Sequence, residues 1–271
     1  MLASKTYRLR DWIDDLQRLG RISFTLPEVY AQFPSHKIPA LKNALTRLVG
    51  KKQISSVWHG FYVIIPIEYS SKGIVPPMLY IGNLMKYLGR PYYISLLSAA
   101  VFYGAAHQRP QEFCVATTSG SLRNSIKMGV KINFSNKKEI PTELIVQKKT
   151  KTGYVNVSSP ELTAADLVLN ERNIGGLNRV ATILNELVNE LNFKKLPTSF
   201  FEQVPAPVIQ RLGYLLDEAL GYTDLADRLL AKMNGDGCRI RNTPLKNRKS
   251  ILHCTINKKW RIVVNELIEI D

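Results

Sequence analysis

Residues 35–63 read SHKIPALKNALTRLVGKKQISSVWHGFYV, a basic helical pattern that runs straight into two short β-like runs around a His-Gly pair. Apolar residues at Ile38, Leu41, Leu45, Leu48 and Val49 have the i, i+3, i+4, i+7 spacing of one buried helix face. Projected at about 100° per residue, Asn43 and Arg47 fall nearly opposite that face, with His36, Pro39 and Thr46 beside them and Lys42 on the flank. Side chains of these types on an outward helix face can enter a DNA major groove, where Arg pairs with guanine and Asn with adenine. Pro39 suits a first helical turn, because its missing N–H has no helical partner there. Gly50 is expected to end the helix in a left-handed cap. Lys51 and Lys52 follow at the helix C-terminus, where cations are favoured and phosphates can be met.

Working outward, residues 6–19 (TYRLRDWIDDLQRL) place Leu9, Trp12, Ile13, Leu16 and Leu19 on one side of a helix. A β-like RISF follows Gly20, and Thr25 caps a helix in which Pro27 and Glu28 occupy the first turn. QISSV and FYVII, joined through Trp58-His59-Gly60, read as a hairpin. Helix, short strand, helix, helix and hairpin is the order of a winged helix-turn-helix, with the third helix reading DNA and the hairpin as the wing. The DNA contacts expected from this pattern are His36, Lys42, Asn43, Thr46, Arg47, Lys51 and Lys52. A helical hairpin with a solvated basic face fits the same stretch. Helix order, loop length, glycine placement and charge sign all agree with DNA binding.

The chain has 271 residues and 45% apolar content, enough for one large or two ordinary packed domains. Its formal charge is +15. Residues 1–69 hold ten basic against five acidic residues, 70–195 hold sixteen against eight, and 196–271 hold eleven against nine. Polyanion affinity therefore need not stop at the N-terminal part. Cys114, Cys238 and Cys254 are far apart and odd in number, and the four histidines form no spaced ligand pair. Free or buried thiols in a reducing cytoplasm are expected, without disulfide framework, metal or cofactor. MLASKTYRLRDWIDD has no apolar signal core, and the apolar run at 94–106 is broken by Ser95, Ser98 and Gly104. A cytoplasmic protein without a membrane partner is expected.

The stretch 66–77 (PIEYSSKGIVPP) reads as a linker. The expected organisation is α+β: a winged helix-turn-helix over 1–66, a linker over 67–77, and a larger mixed α/β domain over 78–271 with a helical C-terminal part. Within the last, residues 78–89 and 94–106 read as helices, and 111–118, 130–135, 143–149 and 153–158 as strands. Residues 161–171 and 177–192 read as helices, and Ser158-Ser159-Pro160-Glu161 as a capping box with Glu161 as its acid. Helical patterns then cover 205–220 and 223–233. A Lys/Arg/Asn-rich loop at 239–250 precedes strand-like 250–256 and 260–270. Catalytic chemistry finds no seat. Glu139 and Glu143 are separated by Ile140-Pro141, and Glu161 and Asp166 point apart on one helix, Asp166 as a solvent-facing or structural residue. TTSGS (117–121) lacks the lysine of a phosphate loop and reads as a turn. His107 beside Arg109 is better read as a helix-terminal cap.

GRPYYISLLSAAVFYGAAHQRPQEFCVAT (89–117), VSSPELTAADLV (157–168) and the glycine pair at 175–176 resemble the AbiEi family of antitoxins from bacterial type IV toxin–antitoxin systems. ALTRLVGKKQISSVWHGFYVI (44–64) resembles that family's winged-helix end, so the similarity covers about residues 5–195, and NKKWRIVVNELIEID (257–271) looks like its closing strand. The resemblance implies a non-enzymatic protein with two jobs. The winged helix represses the antitoxin–toxin operon on double-stranded DNA with inverted repeats, with a homodimer on DNA among the expectations. The C-terminal domain counteracts a nucleotidyltransferase-like toxin. The positions the resemblance carries over are His36, Lys37, Lys42, Asn43, Thr46, Arg47, Trp58 and His59. Ser159-Pro160-Glu161-Leu162 departs from the family's SPER-like pattern, which puts a polar contact by the missing arginine in doubt. Two other readings stay open: a winged-helix regulator of unrelated genes with a ligand-sensing or dimerising C-terminal domain, and an enzyme on nucleic acid whose carboxylates cluster only in the fold.

Overall fold

The computed structural model describes residues 7–105, 111–118, 120 and 122–269. Leu9–Arg18 (α1) packs Leu9, Trp12, Ile13 and Leu16 inward. The helix stops at Arg18 and the chain turns at Gly20 (φ +76°), which leaves Leu19 78% exposed and outside the face expected for it. Ser23–Thr25 (β1) leads into Leu26–Gln32 (α2). Its capping box is complete: Thr25 Oγ1 accepts from the Glu28 backbone N–H at 3.3 Å, and a Glu28 carboxylate oxygen accepts from the Thr25 N–H at 2.7 Å. Ile38–Gly50 (α3) follows, then Ile54–Trp58 (β2) and Phe61–Ile64 (β3). The three strands form an antiparallel sheet in the order β1-β3-β2. Helix, strand, helix, helix, hairpin is thus the observed order.

Residues 67–77, expected as a linker, carry the short helix Ile67–Ser70 (α4) and bury Val75 completely before a 3₁₀ turn at Pro77–Leu79. Ile81–Tyr87 (α5) precedes Tyr92–Ile94 (β4) and Leu96–Ala100 (α6). The helix expected over 94–106 therefore starts late. Ile94 sits in a central strand between two neighbours, and Leu96 is held at φ +53° where strand gives way to helix. Glu112–Thr117 (β5), Ser125–Lys127 (β6), Val130–Asn136 (β7), Ile145–Thr150 (β8) and Gly153–Ser158 (β9) complete a six-stranded sheet in the order β6-β7-β5-β4-β9-β8. The β5–β7 and β4–β9 pairs are parallel and the others antiparallel. The helical layer is Pro160–Leu169 (α7), Glu171–Ile174 (α8), Leu177–Leu187 (α9), Ser199–Gln203 (α10), Ala206–Tyr214 (α11) and Thr223–Gly235 (α12). Of the strand-like runs expected at 250–256 and 260–270, only Ile256–Asn257 (β11) and Ile262–Val263 (β12) pair among the described residues, beside Thr243–Pro244 (β10). The fold is mixed α and β.

Two expectations about single carboxylates meet different outcomes. Ser159 does cap α7, accepting from the Leu162 N–H at 3.2 Å, but Glu161 is no capping acid. It is buried and accepts the Asn192 backbone N–H at 2.8 Å, tying α7 to the chain after α9. Asp166 is structural: it accepts from the Tyr93 hydroxyl at 3.0 Å and pairs with Lys137 Nζ at 2.8 Å, anchoring α7 to the sheet.

Three apolar clusters follow one another among the described residues. The first joins α1, α2 and α3 to one face of the small sheet through Phe24, Ile54 and Ile64. The second takes the other face of that sheet, Val57, Phe61 and Val63, and packs it with Val75, α5 and one face of the large sheet, including Ile94, Val115 and Ile132. The third fills the space between the large sheet and the helical layer. The small sheet is therefore buried on both faces, which explains why FYVI is a continuous apolar run rather than an alternating one.

Candidate nucleic-acid interface

Helix α3 buries Leu41 and Leu45 and half-buries Leu48 and Ala44. Ile38 and Val49 lie at the edges of that stripe and are exposed, Ile38 by 51%. The face expected to be buried is thus narrower than its apolar residues. The opposite side carries Lys42, Asn43, Thr46 and Arg47, all exposed, with His36 and Lys37 at the N-terminal end and Lys51 and Lys52 at the C-terminal end. Eight of the ten expected contacts therefore belong to one continuous surface of one helix and its two ends. Ile38 and Val49 also lie on it, and the pattern reading assigns them to the core. Their apolar character conceals their exposure.

The helix ends shape the chemistry. Lys37 is the N-cap residue, with no side-chain hydrogen bond to the first turn, so the positive end of the helix dipole is open to solvent beside His36. The His36 ring sits edge-on to Phe33 with centroids 5.4 Å apart, which orients it without burying it. At the other end, the Gln53 N–H donates to the Leu48 carbonyl at 3.1 Å and the Lys52 N–H to Val49 at 2.9 Å. This is a Schellman closure, and its left-handed residue is Lys52 (φ +54°), not the expected Gly50, which remains helical.

Among the described residues, no salt bridge engages Lys37, Lys42, Arg47, Lys51 or Lys52. The acids of this part lie elsewhere and are engaged. Asp14 and Asp15 pair with Arg10 and Arg18 along α1, and Glu28 pairs with Arg21 at 2.6 Å. Burial pushes the Glu28 carboxyl up, but hydrogen bonds from Arg21 and from the Thr25 backbone and hydroxyl outweigh it and hold the group below the usual carboxylate range. The arginines of α1 are thus matched by its aspartates, whereas among the described residues the basic side chains of α3 have no acidic partner.

Trp58 and His59 are placed differently. They form the tip of the β2–β3 hairpin, where Gly60 adopts φ +71° and its carbonyl accepts from the Leu26 N–H at 2.8 Å. The Trp58 ring is half-buried and meets Phe134 of β7 edge-on at 6.2 Å. The His59 carbonyl accepts from the Tyr87 hydroxyl at 3.2 Å while its side chain stays exposed. Tyr87 and Phe134 therefore fix the hairpin tip. Their role has no local sequence signal, because the partners lie tens of residues away along the chain.

His107 and Arg109 lie outside the described residues, as do Ser119 and Ser121 of TTSGS. Among the described residues, no group of three or more His, Cys, Asp or Glu is placed to hold a metal ion. None of the described helices is long and apolar enough to cross a membrane. Cys114, Cys238 and Cys254 are free thiols, and burial pushes the Cys114 thiol up to about 11.

No curated protein matches the chain in sequence. Its fold is similar to the crystal structure of the Rv2827c protein from Mycobacterium tuberculosis, with a TM-score of 0.64 at 14% identity over 93% of this chain and 89% of that one. At that identity the likeness is one of fold. The sequence itself matches the AbiEi antitoxin C-terminal domain over residues 93–218, a span running from β4 to the end of α11 and the turn after it. Residues 93–218 are thus similar to the AbiEi antitoxin C-terminal domain.

Proposed function

We propose that this chain is the DNA-binding antitoxin of a type IV toxin–antitoxin pair and that residues 1–66 are a winged helix-turn-helix. In this reading α3 enters the major groove of an inverted-repeat operator, Asn43 and Arg47 read base edges, and Lys42, Lys51 and Lys52 meet phosphates. Two copies bind the two half-sites, since symmetric operators mirror symmetric proteins. Residues 78–271, joined through 67–77, counteract a nucleotidyltransferase-like toxin. The protein acts in the cytoplasm as a regulator, without cofactor or catalysis of its own. The observation that carries this reading is the exposed basic face of α3, free of ion pairs among the described residues, in a chain whose residues 93–218 match an antitoxin domain. Since the hairpin tip is engaged by Tyr87 and Phe134, the exposed His59 side chain is the wing's contribution to DNA and Trp58 positions it.

The test is growth of cells expressing the toxin-like neighbour from a separate, unrepressed promoter, so that repression cannot mimic protection. Co-expression of the full chain restores growth if the reading holds. Absence of rescue, with the chain still binding its promoter, leaves a winged-helix regulator of other genes as the better account. Metal-dependent nucleotide transfer or nuclease activity by the purified chain would instead make it an enzyme.

A further inference from the structure

The Lys/Arg/Asn-rich loop at 239–250 takes no part in the reading above, yet it closes a cavity of about 470 Å³ against the end of α7, α8 and Arg211 of α11. That volume lies in the range of small-molecule sites. Arg172, Arg211 and Arg248 line it against one carboxylate, Glu171. Arg211 is 93% buried, the complement of its 7% exposure. Its Nε donates to the Pro244 carbonyl at 3.0 Å and its Nη2 to Asn247 Oδ1 at 2.7 Å, but no carboxylate lies within ion-pair distance among the described residues. Glu171 is drawn to Arg172, 3.6 Å away, and reaches Arg211 only through its field. Arg248 is exposed at φ +63° and makes no ion pair among the described residues.

A guanidinium held out of water without a counter-charge is costly, and the cost falls when an anion completes the site. Arginine forks match the geometry of phosphate oxygens. A phosphate monoester carries roughly −1.5 to −2 at neutral pH, which balances the surplus of three arginines over one glutamate. Leu245 and Val168 supply an apolar wall for the rest of such a ligand.

We propose that this cavity binds a small phosphate-bearing molecule, its phosphate seated on Arg211, Arg248 and Arg172. The site stands independently of the DNA-binding reading, because none of its residues belongs to the α3 surface.

The experiment is thermal unfolding and calorimetric titration of the full-length protein at constant ionic strength with inorganic phosphate, adenosine monophosphate, adenosine and a short DNA duplex. Phosphate or the monophosphate raises the midpoint in proportion to the logarithm of its concentration, and adenosine does not. A stronger response to the monophosphate identifies an ester as the ligand, and an equal one identifies the phosphate group alone. Arg248→Ala removes an exposed side chain, so the unliganded midpoint stays in place while affinity falls about tenfold or more. Arg211→Met abolishes binding but also removes two part-buried hydrogen bonds, so Arg248→Ala is the deciding variant. No response to phosphate or monophosphate at millimolar concentration overturns the proposal. So does an equal response to adenosine, a response unchanged in Arg248→Ala, or binding of the duplex alone through these residues.

Discussion

Leu45 and Arg47 stand two residues apart on α3 and answer to different forces. Leu45 is 1% exposed in the first apolar cluster, so Leu45→Ala is expected to destabilise the protein by about 2–5 kcal/mol in denaturant unfolding. Arg47→Ala and Asn43→Ala should leave that unfolding unchanged. Each should instead weaken binding to the preferred DNA by about 1–3 kcal/mol, as read by fluorescence anisotropy. Lys52 separates stability from binding in another way. It holds a left-handed conformation in the Schellman closure, so Lys52→Gly should raise stability by about 0.5–1 kcal/mol. In the proposed DNA complex the same change would remove one phosphate contact and should make the salt slope of binding shallower by about 0.9. At this scale the outward set is legible in the sequence, because helix angle alone orders Asn43, Arg47 and Lys42. The exposure of Ile38 and Val49 is not, because angle does not say how wide the partner surface is.

Single elements show where local pattern suffices and where it fails. The α2 start is written in Thr25-Leu26-Pro27-Glu28 and closes as read. Because Glu28 has a lowered carboxyl pKa, its stabilising effect is present above the unfolded value and is lost as pH falls through the folded one. Glu28→Gln should therefore destabilise the chain at neutral pH, and the difference from wild type should shrink on acidification through the carboxylate range. Helix α11 is the opposite case. Gly213 lies inside it, and replacing it with alanine would favour the helix by about 1 kcal/mol on propensity alone. A Cβ there would meet the fully buried Trp260 ring at 2.0 Å. Overpacking dominates, and Gly213→Ala should lower stability by about 1–3 kcal/mol or more. Nothing around residue 213 announces a tryptophan nearly fifty positions later, just as nothing near Ser95 announces that Ile94 belongs to a central strand.

Across the whole molecule, the element order of the first sixty residues and the mixed character of the rest are legible, and the joint between them is not. A proline-rich stretch reads as a linker, yet Val75 within it is buried in the cluster that also holds Val57, Phe61 and Val63 of the small sheet. The two parts of the chain are therefore expected to differ in task but to unfold together, in one transition by both fluorescence and circular dichroism. A fragment covering 70–271 exposes the apolar face that the small sheet covers, so it should unfold at a lower temperature than the intact chain even where it still protects cells. The central claim is that α3 reads DNA. Its most direct measurement is fluorescence-anisotropy titration of the full chain with a duplex from its own promoter and a scrambled duplex, at matched salt, for wild type and for Asn43→Ala with Arg47→Ala. If α3 reads DNA, the promoter duplex binds more tightly, and its affinity weakens with salt by roughly 0.9 in log K per log unit for each phosphate neutralised. The double variant loses the preference while its unfolding midpoint stays unchanged. Equal affinity for both duplexes in wild type, or a preference that survives the double substitution, would mean that α3 does not read DNA.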